Sequence, residues 1–379
     1  METKELIIEP TVDSAPEFIE IALDFSNPLD LVREAISNAF DAKANNIVLD
    51  FSVIQEYGEK ILKIEIEDNG TGMDEKGLAS FFDLGNSLRR GDDSCIGEKG
   101  HGTKVYFNSR RIEVVTIKDG KKYHAIMLEP SRELFERRIP KVTVKIEKAE
   151  GADTGTSVSI WGYNNNRRDK FTHDQLKDYI LWFTKFGSID REFGIEEHAD
   201  AKLKFKGVDR KDYEELEYGH VFPTESKKVA DLFDKYLVEA PKWYCKKFVK
   251  TGSLKNMPEI EYQAIFVVEG TKVKYSYNPM IRRSGYNAPA GAYTIQERYG
   301  LWLCKDFMPI QRKNEWITTK GSEYTKFHAF INCQDLRLTA NRGSIENTPS
   351  EVLQDLMDIV QEMYMSIIQS ADWMDIEWL

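Results

Sequence analysis

Cysteine is scarce in this chain, and its spacing excludes two kinds of chemistry. Cys95, Cys245, Cys304 and Cys333 are the only four in 379 residues, and none has a CxxC partner. Neither a zinc site nor a disulfide framework is indicated, and all four read as free thiols. Long apolar runs are missing too: none approaches the roughly 18 residues that a membrane span needs. The opening METKELIIEP puts acids where a signal peptide carries basic residues ahead of an apolar stretch, so the expected location is the cytoplasm, with no membrane attachment. Positive charge is in deficit, with 52 Lys and Arg against 63 Asp and Glu and a formal net charge of −11. Such a balance argues against chain-wide affinity for polyanions. It leaves only local basic pairs, Arg110-Arg111, Lys246-Lys247 and Arg282-Arg283, whose simplest reading is solvated surface. No internal repeat, low-complexity tract or heptad array is present.

What remains is a globular composition, 41% hydrophobic and 30% charged, in a chain long enough for two cores. The first strong helix signal is SNPLDLVREAISNAFDA. Ser26 or Asn27 can cap it, Pro28 suits its first turn and Asp30 complements its dipole. Leu31, Val32, Ala35, Ile36, Ala39 and Phe40 form its apolar side. Alternating segments follow: Ile47, Leu49 and Phe51, then Leu62, Ile64 and Ile66 with charged residues between. RRIEVVTI, KYHAIML, KVTVKIEK and GTSVSIWG continue the alternation, and Asp119-Gly120 turns the chain between the first two. One polar face per strand predicts a mostly antiparallel sheet with helices on one side, a two-layer α/β sandwich. Residues 172–185 predict a helix closing a first domain at 1–185. Residues 186–250 are mixed and charged, a connecting segment whose elements the pattern does not place. EYQAIFVVEG, GLWLCKDF and KFHAFINC, followed by a helix near 349–370, predict a second α+β domain over 251–379.

Three clusters carry the chemistry. Glu34, Asn38 and Asp41, at i, i+4 and i+7, form one polar stripe on the first helix, which by itself is also what a solvated face looks like. Asp68-Asn69-Gly70-Thr71-Gly72-Met73 follows a strand directly; its glycines permit a tight turn that leaves Asp68 at the strand end facing a cavity, although DNGTG alone also suits a plain hairpin. Gly97, Gly100 and Gly102, in GEKGHGTK, let backbone N–H groups approach an anion, helped by a helix starting near Thr103. This is not a Walker A loop, because the order is Gly102-Thr103-Lys104 and no strand closely precedes it. A fourth, weaker element is Thr156, which shares a face with Val158 and Ile160 and so points inward.

In this order and at these distances, ExxxNxxDA, DNGxGM and GxxGxG resemble the GHKL superfamily of DNA gyrase, the heat-shock chaperone, histidine kinases and MutL, over roughly residues 26–162. The likeness is strongest to the chaperone-like, MutL-like and MORC-like ATPases. It implies a Bergerat fold and an ATP hydrolase dependent on Mg²⁺. By the same resemblance, Glu34 is the general base, Asn38 ligates Mg²⁺, Asp68 reads adenine, Gly72 makes room for the base, and the loop from Gly97 to Thr103 closes over the phosphates. Gly70 and Met73 belong to the adenine turn, and Thr156 lies near the base. Asp41, His101 and Lys104 join the nucleotide-binding set, Asp41 with an equal claim to a helix-end hydrogen bond; His101, Lys99 and Lys104 can face phosphate or solvent, with Lys104 first among them for phosphate. The second domain, of ribosomal-protein-like type, is expected to supply a cation to the γ-phosphate. FINCQDLRLTANRGSIEN resembles the MutL segment ending in that cation, which points to Arg342, with Lys313, Lys320 and Arg337 as alternatives. The resemblance implies a nucleotide-gated clamp, a homodimer on ATP, acting on DNA, RNA or a client protein. A nucleotide-regulated binding module with little turnover is the alternative. A kinase is disfavoured, because Glu34 suits hydrolysis and no dimerisation helix with a phosphoacceptor histidine precedes the motifs.

Overall fold

The computed structural model describes residues 27–83, 102–225, 245–283, 287–317, 323–339 and 343–369, with Pro16, Ile19, Glu20, Phe25 and Gly285 besides. An eight-stranded sheet takes in the first part of the chain. Its strands are β1 (Asn46–Glu56), β2 (Glu59–Asp68), β3 (Arg111–Lys118), β4 (Lys121–Leu128), β5 (Val142–Lys148), β6 (Gly155–Trp161), β7 (Lys202–Lys206) and β8 (Glu214–Glu217). They lie in the order β5-β4-β3-β6-β2-β1-β7-β8. Every pairing is antiparallel except that of β1 with β7. The β3–β4 hairpin turns at Asp119 and Gly120, both at positive φ, as a two-residue turn matched to the strand twist requires. β7 and β8 come from the segment the sequence pattern left unplaced: Leu203 and Phe205 are wholly buried while Lys202 and Lys204 face outward.

Helix α1 (Asp30–Asp41) crosses one face of this sheet, with α2 (Glu75–Phe82), α3 (Pro130–Phe135) and α4 (His173–Phe183). Ahead of α1, Asn27 Oδ1 accepts from the Leu29 N–H at 3.1 Å, so Asn27 orders the entry as a cap would. The expected apolar side of α1 is in the core with Ile47, Leu49, Phe51, Leu62 and Ile64. Of its polar stripe, Glu34 is buried, with Arg33 and Ser37 beside it, where α4 and the short 3₁₀ turn Gly102–Phe107 cover the helix, while Asn38 and Asp41 are half-buried.

The second sheet runs β12-β11-β13-β10-β9. Its members are β9 (Cys245–Ser253), β10 (Glu261–Glu269), β11 (Gly300–Lys305), β12 (Met308–Arg312) and β13 (Phe327–Asn332), with α5 (Thr271–Tyr277) after β10. Helix α6 (Ser350–Gln369) lays Val352, Leu356, Val360, Met363 and Ile367 on one face. The opposite face packs Ile265, Val267, Trp302, Cys304 and Phe330 against Trp182 of α4 and Ile189, so the two sheets share α4. Cys245, Cys304 and Cys333 are buried. A polar cluster sits at that junction: Trp182 stacks on His328 with centroids 4.6 Å apart, His328 Nδ1 lies 2.8 Å from Glu269 Oε1, and its Nε2 lies 3.0 Å from His220 Nε2. Arg298 makes a bidentate bond to Asp178 of α4, at 3.1 and 2.7 Å. Among the described residues, no helix is long and apolar enough to cross a membrane.

Candidate functional site

Strand register builds the floor of the site. On the helix-covered face, Ile64, Ile160 and Ile112 form one row across β2, β6 and β3, and Ile66, Val158 and Val114 form the next. The row after that is polar: Asp68 pairs with Thr156, and Thr156 with Thr116. Side chains two residues apart on a strand share a face, so this row continues the core face to the strand ends. Thr116 Oγ1 accepts from the Met73 N–H at 2.8 Å and lies 3.1 Å from both the Gly155 carbonyl and Thr156 Oγ1. It ties the Gly72-Met73 turn to the sheet. Asp68 Oδ1 accepts from the Gly70 N–H at 2.8 Å. Burial pushes the Asp68 carboxyl up to about 6, against the backbone N–H groups of Gly70 and Thr156, which hold it down.

The turn is fixed to the end of α1. Asn69 Oδ1 accepts from the backbone of Asn45 and Asn46 at 3.0 and 2.9 Å, and the Thr71 N–H donates to the Ala42 carbonyl at 2.8 Å. Gly72 has no substitute here: its φ is +66°, and a Cβ would stand 2.1 Å from the Ile117 carbonyl oxygen.

Asn38 meets Tyr106, within reach of the charges of Glu34 and Asp68. The Asn38 side chain hydrogen-bonds the Tyr106 hydroxyl, and burial first, then the charges of Glu34 and Asp68, keep that phenol protonated. Glu34 also meets the glycine-rich segment directly. A Cβ on Gly102 would lie 2.1 Å from Glu34 Oε2, so only glycine lets the backbone reach the carboxylate. On its other side, Glu34 Oε1 lies 3.6 Å from Arg33 Nε. Asp41 is half-buried at the last turn of α1.

A strand-end acid, a buried helix carboxylate and amide, and a glycine backbone thus close on one another. Residues 27–156 match the family model for histidine kinase-, DNA gyrase B-, and HSP90-like ATPases. They form a GHKL-type ATPase domain. No curated protein matches the chain. The match supports ATP as the ligand of this domain.

Within that domain, Thr103 Oγ1 donates to the Phe81 carbonyl at 2.7 Å, and Lys104 Nζ donates to the same carbonyl at 3.0 Å and to Ser80 at 3.4 Å. The Lys104 ammonium therefore sits on the last carbonyls of α2, where the helix dipole favours a cation. Burial brings its pKa down to about 7, with the Asp83 charge opposing. Gly97, Lys99, Gly100, His101, Lys320 and Arg342 lie outside the described residues. In the second domain, Lys313 pairs with Glu315 at 3.3 Å, and the Arg337 backbone N–H donates to Thr348 Oγ1 at 2.9 Å. Among the described residues, no group of three or more His, Cys, Asp or Glu is placed to hold a metal unaided. The basic pairs are largely neutralised: Arg110 grips Glu59, and Lys246 and Lys247 face Glu225 and Glu192.

Sequence reasoning overlooked three residues. Thr116 carried a signal, as the polar residue on the inward face of RIEVVTIK; Tyr106 and Arg33 carried none, since VYF reads as core and Arg33 as surface.

Proposed function

We propose that the GHKL domain binds ATP with Mg²⁺ and hydrolyses it, and that the cycle gates a dimeric clamp on a macromolecular partner, nucleic acid or protein. The observation that carries this reading is the Glu34 carboxylate, buried one turn from Asn38 and met by the Gly102 backbone. A carboxylate in that position takes the proton of an attacking water, while backbone N–H groups of the glycine segment answer the phosphate charge. Asp68 receives the adenine amino group, flanked by Thr156 and Thr116, and Gly72 leaves space for the ring. Asn38 fits a hard cation: its amide carries an oxygen ligand, and its side chain is held by a hydrogen bond with the Tyr106 hydroxyl. Mg²⁺ held by Asn38 would supply charge neutralisation at the phosphates. Lys104, engaged on α2, shapes the start of the 3₁₀ turn and makes no direct phosphate contact. Arg33 supports a second reading, a nucleotide-regulated module of low turnover, because a carboxylate facing a guanidinium must leave it before accepting a proton.

Steady-state ATP hydrolysis by wild type and Glu34→Ala, with and without duplex DNA, tests the proposal beside calorimetry of ATP binding. Glu34→Ala should lower turnover by about 10²–10⁴-fold and keep ATP affinity. Loss of ATP binding, or an unchanged rate, overturns the role of Glu34; a wild-type rate near zero in every condition selects the second reading. The clamp requires that ATP, and not ADP, dimerise the protein in small-angle scattering.

A further inference from the structure

We propose that Tyr179 is a positioning residue for Glu34, and that helix α4 links its setting to the second domain through the neighbouring Asp178. The inference rests on the reading of Glu34 as the base. Neither Tyr179 nor Asp178 belongs to the matched segment 27–156.

Consecutive residues of a helix point about 100° apart, and here the two point into different domains. The Tyr179 hydroxyl donates to Asp30 Oδ1 at 2.6 Å, in the first turn of α1. The same oxygen lies 3.7 Å from an Arg33 guanidinium nitrogen, and Arg33 Nε lies 3.6 Å from Glu34 Oε1. Tyr179, Arg33 and Glu34 are all buried, so water does not screen the set. Burial keeps the Tyr179 phenol protonated, with the Arg33 charge opposing and Asp30 and Glu34 adding to it, and it therefore acts as a donor. Asp30 divides its charge between that hydroxyl and Arg33, and Arg33 divides its own between Asp30 and Glu34.

Asp178 faces the other way. It receives two nitrogens of Arg298 and the Tyr293 hydroxyl, the last at 2.8 Å. The Arg298 guanidinium lies 3.7 Å from the Tyr293 ring centroid and 4.6 Å from that of Trp182, which stacks on His328 of β13. A bidentate, buried Arg–carboxylate bond is short-ranged and directional, so α4 follows the second domain when that domain moves. A 2.6 Å hydroxyl bond does not survive an ångström of displacement. Its loss leaves Asp30 wholly to Arg33 and draws the guanidinium off Glu34.

Tyr179→Phe deletes only the oxygen. Its turnover should fall roughly ten- to a hundredfold, as expected for a misplaced catalytic group, while calorimetric ATP affinity stays within about twofold. Arg298→Lys, which keeps the charge but not the fork, should reproduce the defect more weakly. Combined with Tyr179→Phe it should add nothing, because both act through one hydroxyl. Full turnover in Tyr179→Phe, a matching loss of ATP affinity, or multiplicative effects in the double variant each overturn the link. Glu34→Ala, measured alongside, separates the two failures. If it hydrolyses ATP at the wild-type rate, the reading of the site falls and the link with it; if it is inactive while Tyr179→Phe is normal, only the link falls.

Discussion

The two sheets treat buried polar groups in opposite ways. In the first, Asp68 is half-buried at a strand end and accepts from the backbone N–H groups of Gly70 and Thr156. In the second, Glu269 is enclosed by side chains: His328 at 2.8 Å and the Tyr277 hydroxyl at 2.9 and 3.2 Å, with His328 continuing to His220. Burial alone marks neither as functional. The partners decide, because a carboxylate held by short backbone contacts keeps an oxygen edge for a ligand, whereas one wrapped by side chains is already consumed by structure.

The comparison breaks most easily at Glu269. Glu269→Ala strands His328 in a dry junction, and removing one partner of such a pair costs about 3–5 kcal/mol. Urea denaturation should show that loss, while the folded fraction binds ATP as before. An unchanged midpoint would mean that the enclosed cluster does not hold the domains together.

Asp68→Asn should behave in the reverse sense. Stability should change little, but ATP affinity should drop by roughly 1.5–3 kcal/mol, the worth of a hydrogen bond to a charged group. Calorimetry checks this, and a stability loss as large as that of Glu269→Ala would erase the distinction between the sheets.

The smallest effect sharpens the comparison through pH. The folded-state pKa of Asp68 is raised from 3.8 to about 6, so its protonated form favours folding fully below 3.8, and that contribution disappears as pH rises through about 6. The melting temperature of the nucleotide-free protein should carry a decline across that window, absent in Asp68→Asn. ATP affinity should rise across the same window, as the carboxylate becomes the stronger acceptor. A ligand-free melting curve with the same pH profile in both proteins would place the titration elsewhere.

The sequence made the first sheet legible because its strands alternate cleanly and its motif residues stand at strand or helix ends. Thr156 was read as inward from Val158 and Ile160, and it sits on that face. Tertiary cover was not legible. The stripe of Glu34 and Asn38 looks the same on paper whether α4 and the Gly102–Phe107 turn lie over it or water does. Two strands of the second sheet also escaped notice. In β9, lysines interrupt the pattern at Lys246, Lys247 and Lys250, and β12 begins Met308-Pro309 beside a bulge in β11. β7 and β8 are too short, at five and four residues, to announce themselves amid charged neighbours.

The row of Asp68, Thr156 and Thr116 has a consequence for quality control. A strand slipped by one residue presents its opposite face everywhere at once. Were β6 to pair one position out, Ser157 and Ser159 would enter the core in place of Val158 and Ile160, and the threonine would leave Asp68 in the same stroke. Core and ligand site therefore act as a shared checksum: a misthreaded molecule fails as a fold before it can persist as a defective binder, and the population that stays folded is the population that can recognise its ligand.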